Sequence, residues 1–595
     1  MKIRVADYIA NFLVENGVTD GFSVTGGGAM HLNDGLGKKK GLKITYNHHE
    51  QASSICAESY ARIHNRIAVL CVTTGPGGTN ALTGVMGAYV DSIPMLVLSG
   101  QVKFSTTIHS TDVKLRQLGD QEFDIINSVQ NMTKYAEMVT DANKIAYHLE
   151  KAFYLANNGR KGPCWLDIPL NIQGAIIETD DLIHYEKEVE EGTPNKISIS
   201  KVDEVVDLLK NAKRPLVLAG TGIRLSNTYK EYREFLEKAQ IPSLTAWNNN
   251  DLLPDENKYY AGRPGTVGNR MGNFALQNCD VLLVLGCRLN IRIISYNYEN
   301  FAKNAKIIMV DIDENELKKP TLNIDYKIHA DLKDFMPKLL DRYNGEGRVE
   351  WLNYIDKLKK IFPKVEKEYY AQEKVNAYCF IDEFTRNLSE GDAVICANGS
   401  ACVMTFQAAT IKEDQRYYTN SGCASMGYGL PAAVGATIAR GKETYCIEGD
   451  GSLQMNIQEL QTIVQNKLPL KVIVLNNSGY HSIRQTQKNF FGTPLVGVGV
   501  DSDDLSFPDL EKIAYAYNIP YVKIDNMTDM GDKVKDIIAH KGYMLVEVVV
   551  NDFPFTPKLS SRKLPDGSMV SASLEDMFPF IDRELYDELM ICNKK

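Results

Sequence analysis

The paired segments TYCIEGDGS (444–452) and KVIVLNNSGY (471–480) decide how this chain of 595 residues is read. Each begins as a short apolar run, the form of a buried parallel strand, and ends in Gly, Asp or Asn, where the loops of such sheets carry function. Asp450 and Asn477 stand 27 residues apart. That is room for a strand–helix–strand unit, which returns the second strand beside the first and brings the two strand ends together. An Asp carboxylate and an Asn carbonyl then converge with backbone oxygens, a hard-oxygen set suited to Mg²⁺, which keeps phosphate oxygens and water as its other ligands. Gly449 and Gly451 let the backbone approach a diphosphate closely. Either half alone reads as an ordinary turn; both together, at this spacing, read as a metal–diphosphate site.

The same alternation of strand and helix runs outward through the chain. Apolar runs recur at IAVLCV (67–72), MLVLSG (95–100), PLVLAG (215–220), VLLVLG (281–286), IIMVDID (307–313) and DAVICA (392–397). The length allows about four domains of ~150 residues. Two interruptions, an acidic stretch near Glu178–Asn195 and a polar helical stretch from Asp331 to about residue 372, instead divide the chain into three. The expected fold class is α/β, three doubly wound parallel-sheet domains at 1–178, 196–345 and 372–550, with a tail at 551–595. The first and third blocks look alike in architecture, without a clear sequence repeat.

Hydrophobic residues at 44% and charged residues at 24% allow several buried cores and exclude disorder as the dominant state. A net charge of −9 argues against a nucleic-acid binder with a broad basic face, and an anionic substrate then needs a metal or positive groups gathered locally. Val5, Ile9, Phe12 and Leu13 have helical spacing, which reads as an amphipathic helix and not a signal peptide. No apolar run approaches the ~18 residues of a membrane span. The 11 scattered cysteines, without a CxxC pair, read as reduced thiols of a cytoplasmic protein; Cys396 and Cys402 are the nearest candidates for a pair, with packing the favoured role.

GDGSLQMNIQEL (449–460) with LPLKVIVLNNSGY (468–480) resembles the thiamine diphosphate motif. Residues 1 to about 550 resemble the acetolactate synthase branch of the thiamine-dependent decarboxylases and carboligases, through NHHEQASSICAESYAR (47–62), TTGPGGTNALTGVMGAYVDSIPMLVLSGQV (73–102), GPCWLDIP (162–169), GCRLNIR (286–292), VDID (310–313) and SGCASMGYGLPAAVGA (421–436). The resemblance implies pyrimidine, central and diphosphate domains in that order. It implies that Glu50 bonds the aminopyrimidine and favours its imino tautomer, which takes the thiazolium C2 proton; by composition alone Glu58 is an equal candidate. Met426 matches the apolar support of the bent cofactor, Gly479 a backbone ligand of the metal beside Asp450 and Asn477, and Gln121 a group near the reacting centre. Asn398, Gly399 and Ser400 match the diphosphate loop, although Gly-Gln-His is usual there, and Ser452 completes the motif begun at Gly449. Gly27 and Gly28 match a turn beside the pyrimidine, with Gly26 in place of a usual Pro. The adjacent His48 and His49, and His109 and His481, have no motif that fixes a role.

The central block resembles a flavin-binding domain. Arg288 and Arg292 keep its arginines and Asp311 and Asp313 lie where a carboxylate binds a ribose, but Asn290 and Ile291 replace an expected acidic pair. GTG (220–222) is a weak signal, and FAD stays an open expectation with a structural role. The substrates implied are pyruvate or a similar 2-keto acid and a carbonyl acceptor, with acetolactate formation as the leading reaction. Thr486 stands where a Trp is usual and, with Arg484 and Gln485, suggests a larger or more polar acceptor, such as a keto-sugar or nucleotide-sugar of surface-polysaccharide synthesis. The tail either closes over the site, binds a phosphorylated sugar or packs on the dimer surface. A simple decarboxylase and a cofactor-binding regulator without catalysis are the remaining alternatives. The family also implies a homodimer at least, with a homotetramer expected, and leaves a regulatory subunit undecided.

Overall fold

Every apolar run quoted above becomes a strand in the computed structural model, which describes residues 1–188 and 192–593. The middle of the acidic stretch between the first two blocks lies outside the described residues. The strands gather into three parallel sheets. The first runs Lys43–Tyr46, Asp20–Ser23, Ala68–Val72, Met95–Gln101, Pro163–Pro169, Tyr135–Met138. The last runs Arg416–Tyr418, Ala393–Cys396, Thr444–Gly449, Leu470–Asn476, Met544–Val549, Tyr521–Ile524. Counted in chain order both are 2-1-3-4-6-5. The central sheet, Ser243–Thr245, Pro215–Ala219, Val281–Leu285, Lys306–Asp311, Tyr326–His329, is 2-1-3-4-5. All three reverse direction between their first and third strands, the place where such sheets bind ligands beyond the strand ends.

The inner strands are buried on both faces, which is why they read as unbroken apolar runs. Helices cover each sheet, beginning with Val5–Glu15, whose Val5, Ile9 and Leu13 are buried while Phe12 packs edge-on to Phe153. The first and last sheets share one apolar cluster between them, centred on the helices Glu50–His64 and Gly429–Arg440. Each helix follows the second strand of its own sheet. They approach closely because the contact is built from small residues: Cys56 Sγ donates to Pro431 O (3.0 Å), and Ser59 Oγ to Ala432 O (2.5 Å). A Cβ on Gly435 would come within 2.2 Å of Cys56 O.

The polar helical stretch past residue 345 forms the helix Val349–Ile361, and its Trp351, Ile355 and Leu358 pack on the central domain. So does the tail. Leu574, Leu589 and Met590 join the same cluster, and buried Asn278 Nδ2 donates to Leu589 O at 3.1 Å. The tail is therefore a cover for the central domain, apart from an exposed hairpin pairing Ser561–Lys563 with Met569–Ser571. All 11 cysteines are free, and Cys396 and Cys402 are both buried. No helix among the described residues is long and apolar enough to cross a membrane.

Candidate active site

The segments that opened the sequence analysis end side by side, with Gly449 opposite Leu475 in the sheet. Asp450 starts a short helix, Asp450–Leu453, and is 3% exposed. Its Oδ2 accepts from Gly479 N at 2.8 Å, which locks the Asn477–Gly479 loop onto it. Burial pushes the Asp450 carboxyl up to about 6, against the N–H groups of Gly479 and Gly451 and the charge of Arg484. Gly479 has φ +157, and a Cβ there would meet Val498 O at 2.1 Å, so no other residue fits this crossing. Asn477 Oδ1 is buried without a hydrogen-bond partner. An orphaned carbonyl oxygen on the loop that is bonded to a buried carboxylate is the kind of exception that a bound hard cation explains. Among the described residues no group of three or more His, Cys, Asp or Glu is placed to hold a metal. A cation here needs the mixed set of carboxylate, amide and backbone oxygen.

On the adjoining strand end, Gly399 (φ +75) precedes the helix Ser400–Ala408 and leaves its first N–H groups without a side-chain cap. The Asn398 amide is already committed, donating to Asn420 Oδ1 (2.6 Å) and Ser425 O (2.8 Å), so it holds the 420–425 loop. Ser452 Oγ accepts from Gly427 N at 2.9 Å, tying the motif to the segment of Met426, a methionine left 40% exposed. Two buried carboxylates within the quoted stretches, neither given a role from the sequence, support these loops. Glu448, pushed up to about 7 by burial, accepts from Leu430 N at 2.9 Å. Glu459 reaches across to the first domain and accepts from Asn47 Nδ2 (2.8 Å) and His48 N (3.0 Å).

Asn47 and His48 lead directly into Glu50, the first residue of its helix; the His49 ring caps that helix by accepting from Gln51 N at 3.2 Å. The half-exposed Glu50 carboxylate accepts from Asn80 Nδ2 at 3.0 Å. Glu58, its rival by composition, is buried in an ion-pair network with Arg62, which also reaches Asp91 at 3.0 Å. Tyr428 OH donates to Glu58 and Asn248 Nδ2 to Asp91, so the network joins all three domains. Gly28 N donates to Thr73 Oγ1 (3.1 Å) across the first sheet's reversal point. Gln121, exposed and at φ +61, lies with its carbonyl against Gly75 and Thr74. Thr74 Oγ1 donates in turn to Gln101, and Gln101 Nε2 to buried Asp167, whose carboxyl burial pushes up to about 7.

The remaining candidate residues lie as follows. Arg484 does not face an acceptor pocket: it is 3% exposed and paired with Asp501 and Asp552. Thr486 is exposed, its hydroxyl returned to Ser482 O. His481 is buried with Nδ1 2.7 Å from Asp552, and His109 lies 3.5 Å from Asp124. In the central domain a cavity of about 310 Å³ opens at the strand ends and is lined from all three domains, including Lys161, Gly222, Arg288, Asp311 and Ser421. Asp311 is pushed up to about 6 by burial and accepts from Asp313 N (3.0 Å). Asp313 itself is taken by Arg160 at 2.7 Å. Arg292 is not part of the lining; its guanidinium lies over the Trp247 ring, 5.1 Å from the centroid.

Comparison with known proteins agrees with this division. The family models for the thiamine pyrophosphate enzyme N-terminal TPP binding domain, central domain and C-terminal TPP binding domain match residues 3–127, 202–339 and 397–548. The chain is 30% identical to the acetolactate synthase isozyme 1 large subunit of Escherichia coli (strain K12), over 92% of this chain and 94% of that protein. It is 31% identical to the acetolactate synthase large subunit of Lactococcus lactis subsp. lactis (strain IL1403), over 95% of each. It is 30% identical to the chloroplastic acetolactate synthase 1 of Zea mays, over 92% of this chain and 85% of that one.

Proposed function

Since the chain belongs to the thiamine pyrophosphate enzyme family, and is a thiamine diphosphate-dependent enzyme, we propose that it decarboxylates pyruvate or a similar 2-keto acid and joins the remaining unit to a carbonyl acceptor, with acetolactate as the first product to seek. The observation that carries this reading is the orphaned Asn477 Oδ1 next to the Asp450–Gly479 bond. Asp450, Asn477 and a backbone oxygen at Gly479 hold Mg²⁺. Gly399, Ser400, Gly449, Gly451 and Ser452 surround the diphosphate with backbone N–H groups and little side chain. When bound, the cofactor supplies a nucleophilic carbon and an electron sink for loss of CO₂. Glu50 moves a proton at the aminopyrimidine, Gly27 and Gly28 bring backbone against that ring, Met426 supports it, and Gln121 orients the reacting groups. A carboxylate positioned for such a proton transfer contributes about 10²–10⁴-fold.

The working unit of this proposal is a homodimer at least, with the pyrimidine on one subunit and the diphosphate on the other. Val113, Leu115, Leu118 and Phe123 leave large apolar surface exposed around Gln121, where a second subunit would cover them. The central cavity, with Arg288 and Asp311 at its wall, is the place for FAD or another nucleotide. Visible absorbance of the purified protein, which a bound flavin supplies and a colourless nucleotide does not, is the check.

Mass spectrometry of products from pyruvate, Mg²⁺ and thiamine diphosphate, with and without added keto-sugar nucleotides, tests the assignment. Acetolactate from pyruvate alone supports the first reading. A product that appears only with the sugar supports the second, which the small exposed Thr486 favours. Free aldehyde as the main product overturns both.

A further inference from the structure

Arg484 lies on the helix His481–Phe490 and turns back toward the loop that precedes it. Its Nη2 donates to Asn477 O and Ser478 O, each at 3.2 Å. Its Nε is 3.1 Å from Asp501 and its Nη1 3.3 Å from Asp552. Asp501 sits in the turn Val500–Ser502, just past Gly499, which bridges to Gly479. Asp552 begins the tail and also holds His481 at 2.7 Å. One buried guanidinium thus joins the Asn477–Gly479 loop to two other segments. It satisfies two of the loop's carbonyl oxygens and leaves Asn477 Oδ1 as the buried oxygen without a donor.

We propose that Arg484 is a positioning residue for the divalent cation, fixing the loop so that Asn477 and Gly479 present their oxygens before the metal arrives. The inference rests on the metal–diphosphate reading of Asp450 and Asn477. A planar, five-donor guanidinium hydrogen-bonds two carbonyls and the Asp552 carboxylate at once and ion-pairs with Asp501; an ammonium makes fewer of these contacts and tolerates looser geometry. Asp501 and Asp552 balance its charge and that of Lys488, which pairs with both, so the clamp adds no net repulsion toward a cation.

The test is titration of the full-length protein with Mn²⁺ in the presence of thiamine diphosphate, with free Mn²⁺ read by electron paramagnetic resonance. Arg484→Met should weaken Mn²⁺ binding by about 10–100-fold, the usual loss for a partner that orients metal ligands, with Arg484→Lys and Asp501→Asn falling between it and the unmodified protein. Far-ultraviolet circular dichroism reports whether each variant folds. If Arg484→Met does not fold, the other two variants decide. Affinity within about twofold of the unmodified protein in the folded variants overturns the clamp, because orienting partners cost more than that. Failure of the unmodified protein to bind Mn²⁺ under these conditions overturns the metal reading itself.

Discussion

The first and last sheets place six strands in the same order, and the helix after the second strand of each packs against its counterpart. Their strand ends nevertheless hold different chemistry. The last domain gathers oxygen donors and bare backbone: Asp450, Asn477, Gly479 and the Gly399 turn. The first gathers a half-exposed carboxylate, Glu50, glycine backbone at Gly27 and Gly28, and a loop carrying Gln121. The two domains are topological twins, and their difference lies in the few residues after each strand. A parallel sheet fixes where loops converge but not what they carry.

The sharpest way to separate the twins is Glu50→Gln. Turnover should fall by about 10²–10⁴-fold while Mn²⁺ affinity, a property of the other domain, stays unchanged; steady-state rates alongside metal titration would show it. Next comes the joint between them. Arg62→Ala strands the buried Glu58 and Asp91 carboxylates and should cost about 3–5 kcal/mol, visible as a lower urea midpoint. Asn477→Ala should lower Mn²⁺ affinity by at least the roughly 10–100-fold expected of partners one shell further out, with the Glu50 domain undisturbed. Glu459→Gln removes a charged acceptor from Asn47 and His48, and about 1–3 kcal/mol of stability with it. Normal activity and stability in that variant would mean the twins do not need this tie.

One further effect belongs to the first sheet alone. Asp167, with a carboxyl pushed up to about 7, holds in the folded state a proton that the unfolded chain releases near its ordinary 3.8. Its contribution to stability therefore falls as the pH rises from about 4 to about 7 and is level above that. Urea midpoints across this range should show a downward slope, shared with Glu448, Asp450 and Asp311, that Asp167→Asn makes shallower.

Much of this was legible in the sequence because inner parallel strands cannot avoid being apolar. The edge strands were harder. Arg416–Tyr418 and Tyr521–Ile524 are short and mix polar with apolar residues, since only part of each is buried. The first and third blocks looked alike in architecture but showed no sequence repeat, because packing asks only for apolar side chains of suitable size, so similar architectures need no similar letters. Asp450 and Asn477 stood out because glycine and strand-end spacing surround them. Glu459 did not: in sequence it is an ordinary helix glutamate, and its partners lie in another domain. Arg484 was placed toward an acceptor because its neighbours suggested polarity, whereas Asp501 and Asp552 turn it inward.

The tie between Asn47 and Glu459 spans 412 residues of chain. At a synthesis rate of about 5–20 residues per second, roughly 20–80 s pass between the emergence of one partner and the other. The first domain can fold early, but the strand end that aims Glu50 waits for its acceptor. During translation the chain therefore carries the Asn47–His48 strand end without its acceptor until the last domain arrives.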